Sequence, residues 1–251
     1  MGRFKCGLCS VSFRRNTPVE IIRSAAAAGL EYIEWGSDVH APHTDMCRLR
    51  EISEMQKEYG IAASSYGTYF RIGQTEMSEL YGYIEGARLL GTDLIRVWCG
   101  VKGSDAIGSG EKKELFDKCR EAARIAETEG VTLAMECHMW TFTDTAETIT
   151  ELMDEIRSEN FRMYWQPNQY RTKEDNIRHI KMAGDHVTAV HVFNWSGDKR
   201  YPLADAKKEW CEYLSCLEGE HTVLLEFMPN DDISELISEA AALRDITESV
   251  K

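Results

Sequence analysis

A chain of 251 residues that is 43% hydrophobic and 28% charged can form one large domain with a sizeable core, and α/β barrels commonly have about this length. Its formal net charge of −13 argues against a nucleic-acid-binding surface, which needs clustered Lys and Arg. The sequence has no run of about 18 apolar residues, so no membrane-spanning helix and no membrane partner are predicted. Eight cysteines without a secretory signal indicate reduced thiols and a cytoplasmic protein.

Helix boundaries are marked by two recurring signals. A glycine placed between a polar helical segment and an apolar segment favours the left-handed conformation that ends a helix. Four glycines occupy such a place: Gly29, Gly60, Gly91 and Gly130. Thr17-Pro-Val-Glu20 has capping-box spacing with proline at the first helical position, and Asp144-Thr-Ala-Glu147 has the same spacing. These signals predict helices that alternate with short strands.

Eight strand-like segments follow one another at intervals of about 30 residues, and a last helix is predicted over 233–249. The segments are 4–9, 32–35, 62–66, 94–98, 131–138, 161–165, 188–192 and 222–227. Eight strands alternating with helices predict a single (β/α)8 TIM barrel, one α/β domain over 1–251. A doubly wound sheet is the main alternative, but it favours a Gly-rich phosphate loop after the first strand, and residues 9–14 contain no glycine.

Polar and aromatic side chains gather at the predicted strand ends, where TIM-barrel active sites lie. Glu136 and His138 are two residues apart, so they point to the same side of the fifth segment. Five of the six tryptophans also fall at strand ends, which suits the C–H faces and hydroxyls of a sugar-like ligand. The residues predicted to contact this ligand are Trp35, His40, Tyr66, Tyr69, Arg96, Trp98, Trp140, Gln169, Asn194 and Arg200. Arg200 lies in a loop that could equally be solvated surface.

Four residues from consecutive strand ends would meet at one point above the barrel: Glu136, Gln166, His191 and Glu226. Oxygen ligands suit hard divalent cations, and an imidazole ligand is acceptable for manganese, cobalt or zinc. No local spacing identifies such a site, however. Judged singly, His191 is as well explained as a hydrogen-bonded histidine at a strand end.

Several motifs give the chain a resemblance to the xylose isomerase-like TIM-barrel superfamily, the group of sugar-phosphate isomerases and epimerases. They are Gly-Leu-Glu-Tyr-Ile-Glu-Trp-Gly at 29–36, Leu-Ala-Met-Glu-Cys-His at 133–138, Val-His-Val-Phe at 190–193 and Leu-Leu-Glu-Phe at 224–227. The resemblance spans essentially the whole chain. It implies a divalent metal, with manganese the first expectation and magnesium, cobalt or zinc as alternatives.

The resemblance implies that Glu136, His191 and Glu226 bind this metal. In the family an Asp at the end of the sixth strand is the fourth ligand, and a His follows it three residues later. Gln166 and Gln169 stand at these places here. A glutamine oxygen can bind a metal, but it is neutral, so weaker metal binding is expected.

The implied function is a sugar, sugar-phosphate or keto-acid isomerase or epimerase that acts through an enediolate. Glu136 and Glu226 would exchange protons with the substrate, and His138 would bind it or shuttle a proton. One alternative is a metal-dependent lyase or dehydratase, and another is a non-catalytic sugar-binding barrel with a degenerate metal site. DNA repair of the endonuclease IV type fits an acidic chain poorly. A homo-oligomer is compatible with the sequence, which does not decide the oligomeric state.

Overall fold

The structure is a computed structural model that describes residues 3–250. Eight parallel strands pair in chain order, and the first also pairs with the last, which closes a barrel. The strands are β1 (Phe4–Cys9), β2 (Tyr32–Gly36), β3 (Ala62–Ile72), β4 (Leu94–Cys99), β5 (Thr132–Glu136), β6 (Phe161–Trp165), β7 (Val187–Val192) and β8 (His221–Leu225). The prediction of a (β/α)8 TIM barrel is therefore confirmed.

A helix follows each strand. The helices are α1 (Pro18–Ala27), α2 (Met46–Tyr59), α3 (Leu80–Leu90), α4 (Ser109–Glu129), α5 (Ala146–Ile156), α6 (Lys173–Ala183), α7 (Lys207–Leu214) and α8 (Leu236–Ser249). Within residues 3–250, none of them is both long enough and apolar enough to cross a bilayer.

The helix ends follow the signals in the sequence. At the start of α1, the Thr17 side chain accepts a hydrogen bond from the Glu20 backbone, and the Glu20 carboxylate accepts one from the Thr17 backbone. This arrangement is the predicted capping box. Gly60, Gly91 and Gly130 end α2, α3 and α4 with φ angles of 69°, 85° and 66°. These left-handed angles are accessible to glycine because it has no Cβ.

Two helices begin later than the sequence indicates. The cap of α5 is Thr145 rather than Asp144, and its hydroxyl accepts a hydrogen bond from the Thr148 backbone at 3.3 Å. α8 begins at Leu236, because a short 3-10 turn, Ile233–Glu235, precedes it.

Two features of the strands were not predicted. β3 continues to Ile72, and its pairing with β4 shifts register between Gly67 and Arg71, which marks a bulge or irregularity. After β7, Trp195–Ser196 pairs with Lys199–Arg200 in a short antiparallel hairpin.

The strand pleat divides the buried side chains between two layers. The inner layer inside the barrel consists of Ala134, Tyr164, Ala189 and Leu224. The larger outer layer lies between the strands and the helices and contains Trp35 and Trp165. Because every second side chain shares a face, Glu136, His191 and Glu226 follow the inner layer towards the carboxyl ends of the strands.

Candidate metal and catalytic site

A cavity of about 160 Å³ opens at the carboxyl ends of the strands. Its polar lining includes Arg96, Glu136, Gln166 and Glu226. Its aromatic lining comprises Tyr69, Trp98, Phe193, Trp195 and Phe227. The Trp195 ring lies between those of Phe193 and Phe227, with centroid distances of 4.8 Å to Phe193 and 5.2 Å to Phe227. One end of the cavity is therefore charged, and much of its wall can contact the apolar faces of a ligand.

The imidazole of His191 lies at the centre of the polar groups and is completely buried. Its Nδ1 is 3.2 Å from Oε1 of Gln166, 3.4 Å from Oε2 of Glu226 and 3.7 Å from Oε1 of Glu136. These four residues are the ligands predicted from the sequence. The structure brings all four together around one nitrogen atom.

The opposite nitrogen, Nε2 of His191, faces a second carboxylate, and Oε1 of Glu34 is 3.3 Å away. Glu34 also accepts a hydrogen bond from Nε of Arg96 at 3.2 Å. The Arg96 guanidinium reaches across to Glu136 and donates to it through Nη1, and the indole N–H of Trp98 donates to the same carboxylate oxygen. Glu34, Arg96 and Glu136 thus form a buried chain of ion pairs.

The two carboxyl groups beside His191 Nδ1 have pKa values that are shifted in opposite directions. Burial raises the pKa of Glu136, but the Arg96 guanidinium and His191 outweigh burial and lower this pKa to about 2. Burial also raises the pKa of Glu226, and the Glu136 carboxylate adds to this effect, so the pKa of Glu226 stays above its ordinary value. Glu136 is accordingly ionised, and Glu226 holds a proton more readily.

The donor set at Nδ1 suits a divalent cation. Three oxygens lie within 3.7 Å of one imidazole nitrogen, and manganese, cobalt and zinc accept this combination of donors. Three buried carboxyl groups, Glu34, Glu136 and Glu226, are accompanied by the buried guanidinium of Arg96, so two negative charges remain when all three are ionised and His191 is neutral. Burial by itself lowers the pKa of His191, but Glu226 and Glu34 raise it well above its ordinary value.

A second donor group lies on the other side of the ring. Ligand atoms of Cys9, Glu34 and His191 lie within 4.8 Å of one another. The Cys9 thiol already donates a hydrogen bond to Oε1 of Glu34 at 3.1 Å. The Glu34 oxygen nearest to His191, Oε1, is already engaged by Arg96. Arg96 binds Oε2 of Glu136 and leaves Oε1 of Glu136 towards His191. The Nδ1 side is therefore the better cation site.

The pocket contains several of the other predicted residues. His138, Tyr69, Arg96, Trp98 and Gln169 all line it. The His138 ring lies 5.3 Å from that of Trp98, and its Nδ1 is 2.6 Å from the backbone oxygen of Met139. His138 and Gln169 thus bring polar side chains to the pocket lining.

Three residues predicted to contact a ligand lie outside the pocket, which corrects the prediction. Trp35, His40 and Tyr66 are each 0% exposed. Because Glu34 faces the barrel interior, its neighbour Trp35 faces the helices, and its indole donates a hydrogen bond to Gln56 of α2. His40 contacts Trp35 edge-on, and Tyr66 packs against α3. All three stabilise the outer layer.

Three further predicted residues lie outside the pocket lining. Trp140 is 69% exposed in the loop after β5. Asn194 donates to the backbone of Pro202 at 2.8 Å. Arg200 stacks on the Phe227 ring at 4.5 Å and forms an ion pair with Asp231. The structure gives them no direct contact with the polar end of the cavity.

Glu34 is a buried residue of the site that the sequence did not predict. Glu34 and Arg96 each interrupt an otherwise apolar strand. A charged residue inside a buried strand requires an opposite charge, so the pair could have been recognised from this pattern. Arg14 was also omitted. It lines the pocket mouth, where it donates to Asp38 at 3.0 Å and to Tyr69 at 2.8 Å.

A family model described as a xylose isomerase-like TIM barrel matches residues 22–203, which is more than half of the chain. The chain belongs to the xylose isomerase-like TIM barrel family. A curated relative, the 3-dehydroshikimate dehydratase of Bacillus anthracis, is 24% identical over 173 residues. That match covers 63% of this chain, and the chain spans only 60% of the relative's length.

Solved structures of the same architecture cover nearly the whole chain. The probable 3-DHS dehydratase AsbF of Bacillus anthracis has a TM-score of 0.75 at 19% identity and covers 96% of this chain and 98% of its own. D-psicose 3-epimerase of Clostridium cellulolyticum H10, solved with D-tagatose, has a TM-score of 0.68 at 16% identity, with coverages of 98% and 99%. The IOLI protein, solved with a zinc atom, has a TM-score of 0.76 at 17% identity, with coverages of 98% and 99%. At these identities the matches establish the fold.

Proposed function

We propose that this xylose isomerase-like protein is a metal-dependent isomerase or epimerase that moves a proton on a sugar-like carbonyl compound through an enediolate. The observation that carries the proposal is the pair Glu136 and Glu226. Both carboxyl groups lie within 4 Å of His191 Nδ1, at 3.7 and 3.4 Å, and their pKa values are shifted in opposite directions. Paired acids with separated pKa values are the arrangement that proton transfer in both directions requires.

Glu136, Gln166, His191 and Glu226 are the residues that would hold the metal. A bound divalent cation would supply a Lewis acid that polarises the substrate's carbonyl oxygen and the neighbouring hydroxyl oxygen. It would so acidify the hydrogen on the carbon that bears this hydroxyl.

The protein's own residues then carry out the proton transfers. Ionised Glu136 removes the carbon-bound proton, and the electron pair left behind is delocalised over the enediolate. A proton carried by Glu226 is then returned to the substrate. It goes to the opposite face of the same carbon in an epimerisation, or to the neighbouring carbon in an isomerisation, in which the hydroxyl proton also moves to the former carbonyl oxygen. Trp98 and Arg96 hold Glu136 in place by their hydrogen bonds to its carboxylate.

The pocket walls support a polyhydroxylated substrate. Trp98, Trp195 and Phe227 offer aromatic faces to C–H groups, and Gln169 and His138 offer hydrogen bonds to hydroxyls. Sugar epimerases are among the solved structures similar to this chain, which agrees with this substrate class.

The decisive experiment is isotope exchange in deuterated water. Protein loaded with manganese is incubated with a panel of ketopentoses, ketohexoses and keto-acids, and products are examined by nuclear magnetic resonance. Deuterium is expected at the carbon next to the carbonyl. In Glu136→Gln the base is lost, so the exchange rate should fall by at least about 100-fold.

The matched control is Glu159→Gln, which makes the same chemical change at an exposed residue that forms a surface ion pair with Arg162. This variant should exchange deuterium at the wild-type rate. If the metal-loaded wild-type protein exchanges no deuterium into any compound of the panel, or if Glu136→Gln exchanges as fast as wild type, the proposed mechanism is wrong.

A dehydratase is the second candidate, because the curated relative is a 3-dehydroshikimate dehydratase. The same proton removal would form an enolate, which then expels a hydroxyl from the β-carbon as water. Including 3-dehydroshikimate in the panel separates the two reactions. A product lighter by one water and with new ultraviolet absorbance identifies the dehydratase, whereas an epimerase leaves the mass unchanged apart from deuterium.

A further inference from the structure

Glu34 has a buried carboxylate, and polar groups of other residues lie within hydrogen-bond distance of both of its oxygens. It is 0% exposed in the interior of the barrel. Its Oε1 accepts from the Cys9 thiol at 3.1 Å and from Arg96 Nε at 3.2 Å, and it lies 3.3 Å from His191 Nε2. Its Oε2 accepts from the Ser65 hydroxyl at 3.1 Å. A buried charge is stabilised only when its lone pairs are occupied in this way.

Two of these contacts lead directly to the proposed catalytic groups. In the neutral tautomer that carries its proton on Nε2, facing Oε1 of Glu34, His191 has its Nδ1 lone pair on the side of Gln166, Glu136 and Glu226. By holding Nε of Arg96, Glu34 orients the guanidinium whose Nη1 binds Glu136. One carboxylate therefore fixes both the imidazole and, through Arg96, the base.

The strand next to Glu34 leaves room for this arrangement. A Cβ placed on Gly67 of β3 would lie 2.6 Å from Oε1 of Glu34 and 2.9 Å from Nη2 of Arg96. Both distances are far below ordinary van der Waals contact, so a larger residue at position 67 would displace the side chains of this ion pair. Gly67 does not have a positive φ, so its backbone conformation is open to alanine. The space, rather than the backbone, requires glycine here.

We propose that Glu34 is the positioning residue of this site, which fixes the orientation of His191 for metal binding and of Arg96 against Glu136. The inference rests on the proposed function, because it assumes a cation at Nδ1 of His191. A carboxylate that accepts the second ring N–H of a metal-binding histidine holds the ring orientation and strengthens the ligand, and its loss typically lowers metal affinity by about 10- to 100-fold.

Zinc binding to Glu34→Gln tests the proposal without any substrate. Isothermal titration calorimetry at constant pH should show a zinc dissociation constant about 10- to 100-fold above that of wild type. In the zinc-loaded protein labelled with ¹⁵N-histidine, wild type should show a downfield His191 Nε2–H resonance typical of a hydrogen bond to a carboxylate. That resonance should move upfield or exchange away in the variant.

Gly67→Ala provides the same test with the carboxylate retained, in case Glu34→Gln does not fold. It should also weaken zinc binding, because its Cβ displaces Glu34 and Arg96. The matched control is Gly110→Ala in α4, where an added Cβ meets nothing within 4 Å. Ser65→Ala removes one neighbour of Glu34 without touching His191 and should change the zinc dissociation constant by less than about 3-fold.

The results separate the positioning role from the proposed function. Wild-type zinc affinity and an unchanged Nε2–H resonance in Gly67→Ala and in folded Glu34→Gln would overturn the positioning role, even if deuterium exchange depends on Glu136. Conversely, if both variants lose zinc affinity while wild type exchanges no deuterium into any substrate, the positioning role stands and the isomerase proposal fails.

Discussion

Gln166 is the uncharged member of the predicted ligand set. Its Oε1 lies 3.2 Å from His191 Nδ1, so its position suits a ligand, but it contributes no negative charge. Only Glu136 and Glu226 bring charge to the Nδ1 side. Metal affinity depends on the number of charged ligands, so a neutral fourth ligand makes this a weaker site than one with three carboxylates.

Restoring a carboxylate with Gln166→Asp should shift two properties in opposite directions. The added charge should tighten manganese binding by about tenfold, measured by calorimetry. In the metal-free protein the new carboxylate would lie near Glu136 and Glu226, so the melting temperature should fall. The increase in melting temperature on adding manganese should therefore be larger than in wild type.

Gln74→Glu is the control, because it adds the same charge at an exposed position outside the cavity. Manganese affinity should not change in this variant. Equal manganese dissociation constants for wild type and Gln166→Asp would show that residue 166 does not bind the metal.

Side-chain alternation explains which of the selected aromatic residues reach the pocket. Trp98 is two residues after Arg96, so it faces the same side of β4 and lines the cavity. Trp35 directly follows Glu34, so it faces the other side of β2 and packs on the helices. The clustering of tryptophans at strand ends was correctly observed in the sequence. The prediction placed too many of them in the site, because a position near a strand end does not specify which face of the strand a side chain is on. The face follows from counting in steps of two from the buried charged residues of the same strand.

Local chemistry determines the helix ends, and Thr17 is the clearest case. Its hydroxyl and the Glu20 side chain satisfy each other's backbone N–H groups at the start of α1. These contacts involve residues three positions apart, so a short sequence window contains all the information. The length of β3 depends instead on pairing with β4 across a register shift, which no short window reveals.

Thr17→Ala should lower the free energy of unfolding by about 1 kcal/mol, because the N-terminal N–H groups of α1 lose their acceptor. Urea unfolding followed by circular dichroism measures the change. Thr128→Ala is the control, since this exposed threonine lies within α4 and its hydroxyl bonds only to the backbone of Arg124 one turn earlier. Its stability should remain within about 0.5 kcal/mol of wild type. Equal losses in the two variants would contradict the capping role.

Closure of the barrel creates the site by joining distant parts of the chain. Glu34 and His191 are 157 positions apart, and Arg96 and Glu136 are 40 apart. The outer layer also contains a titratable group, His179 of α6, whose Nδ1 accepts a hydrogen bond from the Trp165 indole at 3.1 Å. Burial lowers the pKa of His179 to about 4, and the charge of Arg171 adds to this effect.

Acid should therefore destabilise the folded protein through His179. In the unfolded chain this histidine takes up a proton near its ordinary pKa of about 6.5, whereas the folded protein does not until about pH 4. The unfolded state thus binds more protons between these values, and stability falls as the pH falls through this window. Between pH 7.5 and pH 4.5 the histidine should account for about 2 kcal/mol of lost stability.

Urea unfolding of wild type and His179→Gln at several pH values checks this effect. The variant should lose less stability between pH 7.5 and pH 4.5 than wild type, because glutamine does not titrate. Parallel stability curves for the two proteins would rule out His179 as a source of the pH dependence.

The sequence by itself determined the alternation of strands and helices, the glycine and threonine helix ends, and the group formed by His191 and the three residues around its Nδ1. Each of these depends on local spacing or on the rule that strand ends meet at one face of a parallel barrel. The tertiary structure alone decided that Glu34 lies beneath the site, that Arg96 links it to Glu136, and that Trp35 and Tyr66 face the helices. Those outcomes depend on strand register and on charge pairing between distant segments, which the local sequence does not encode.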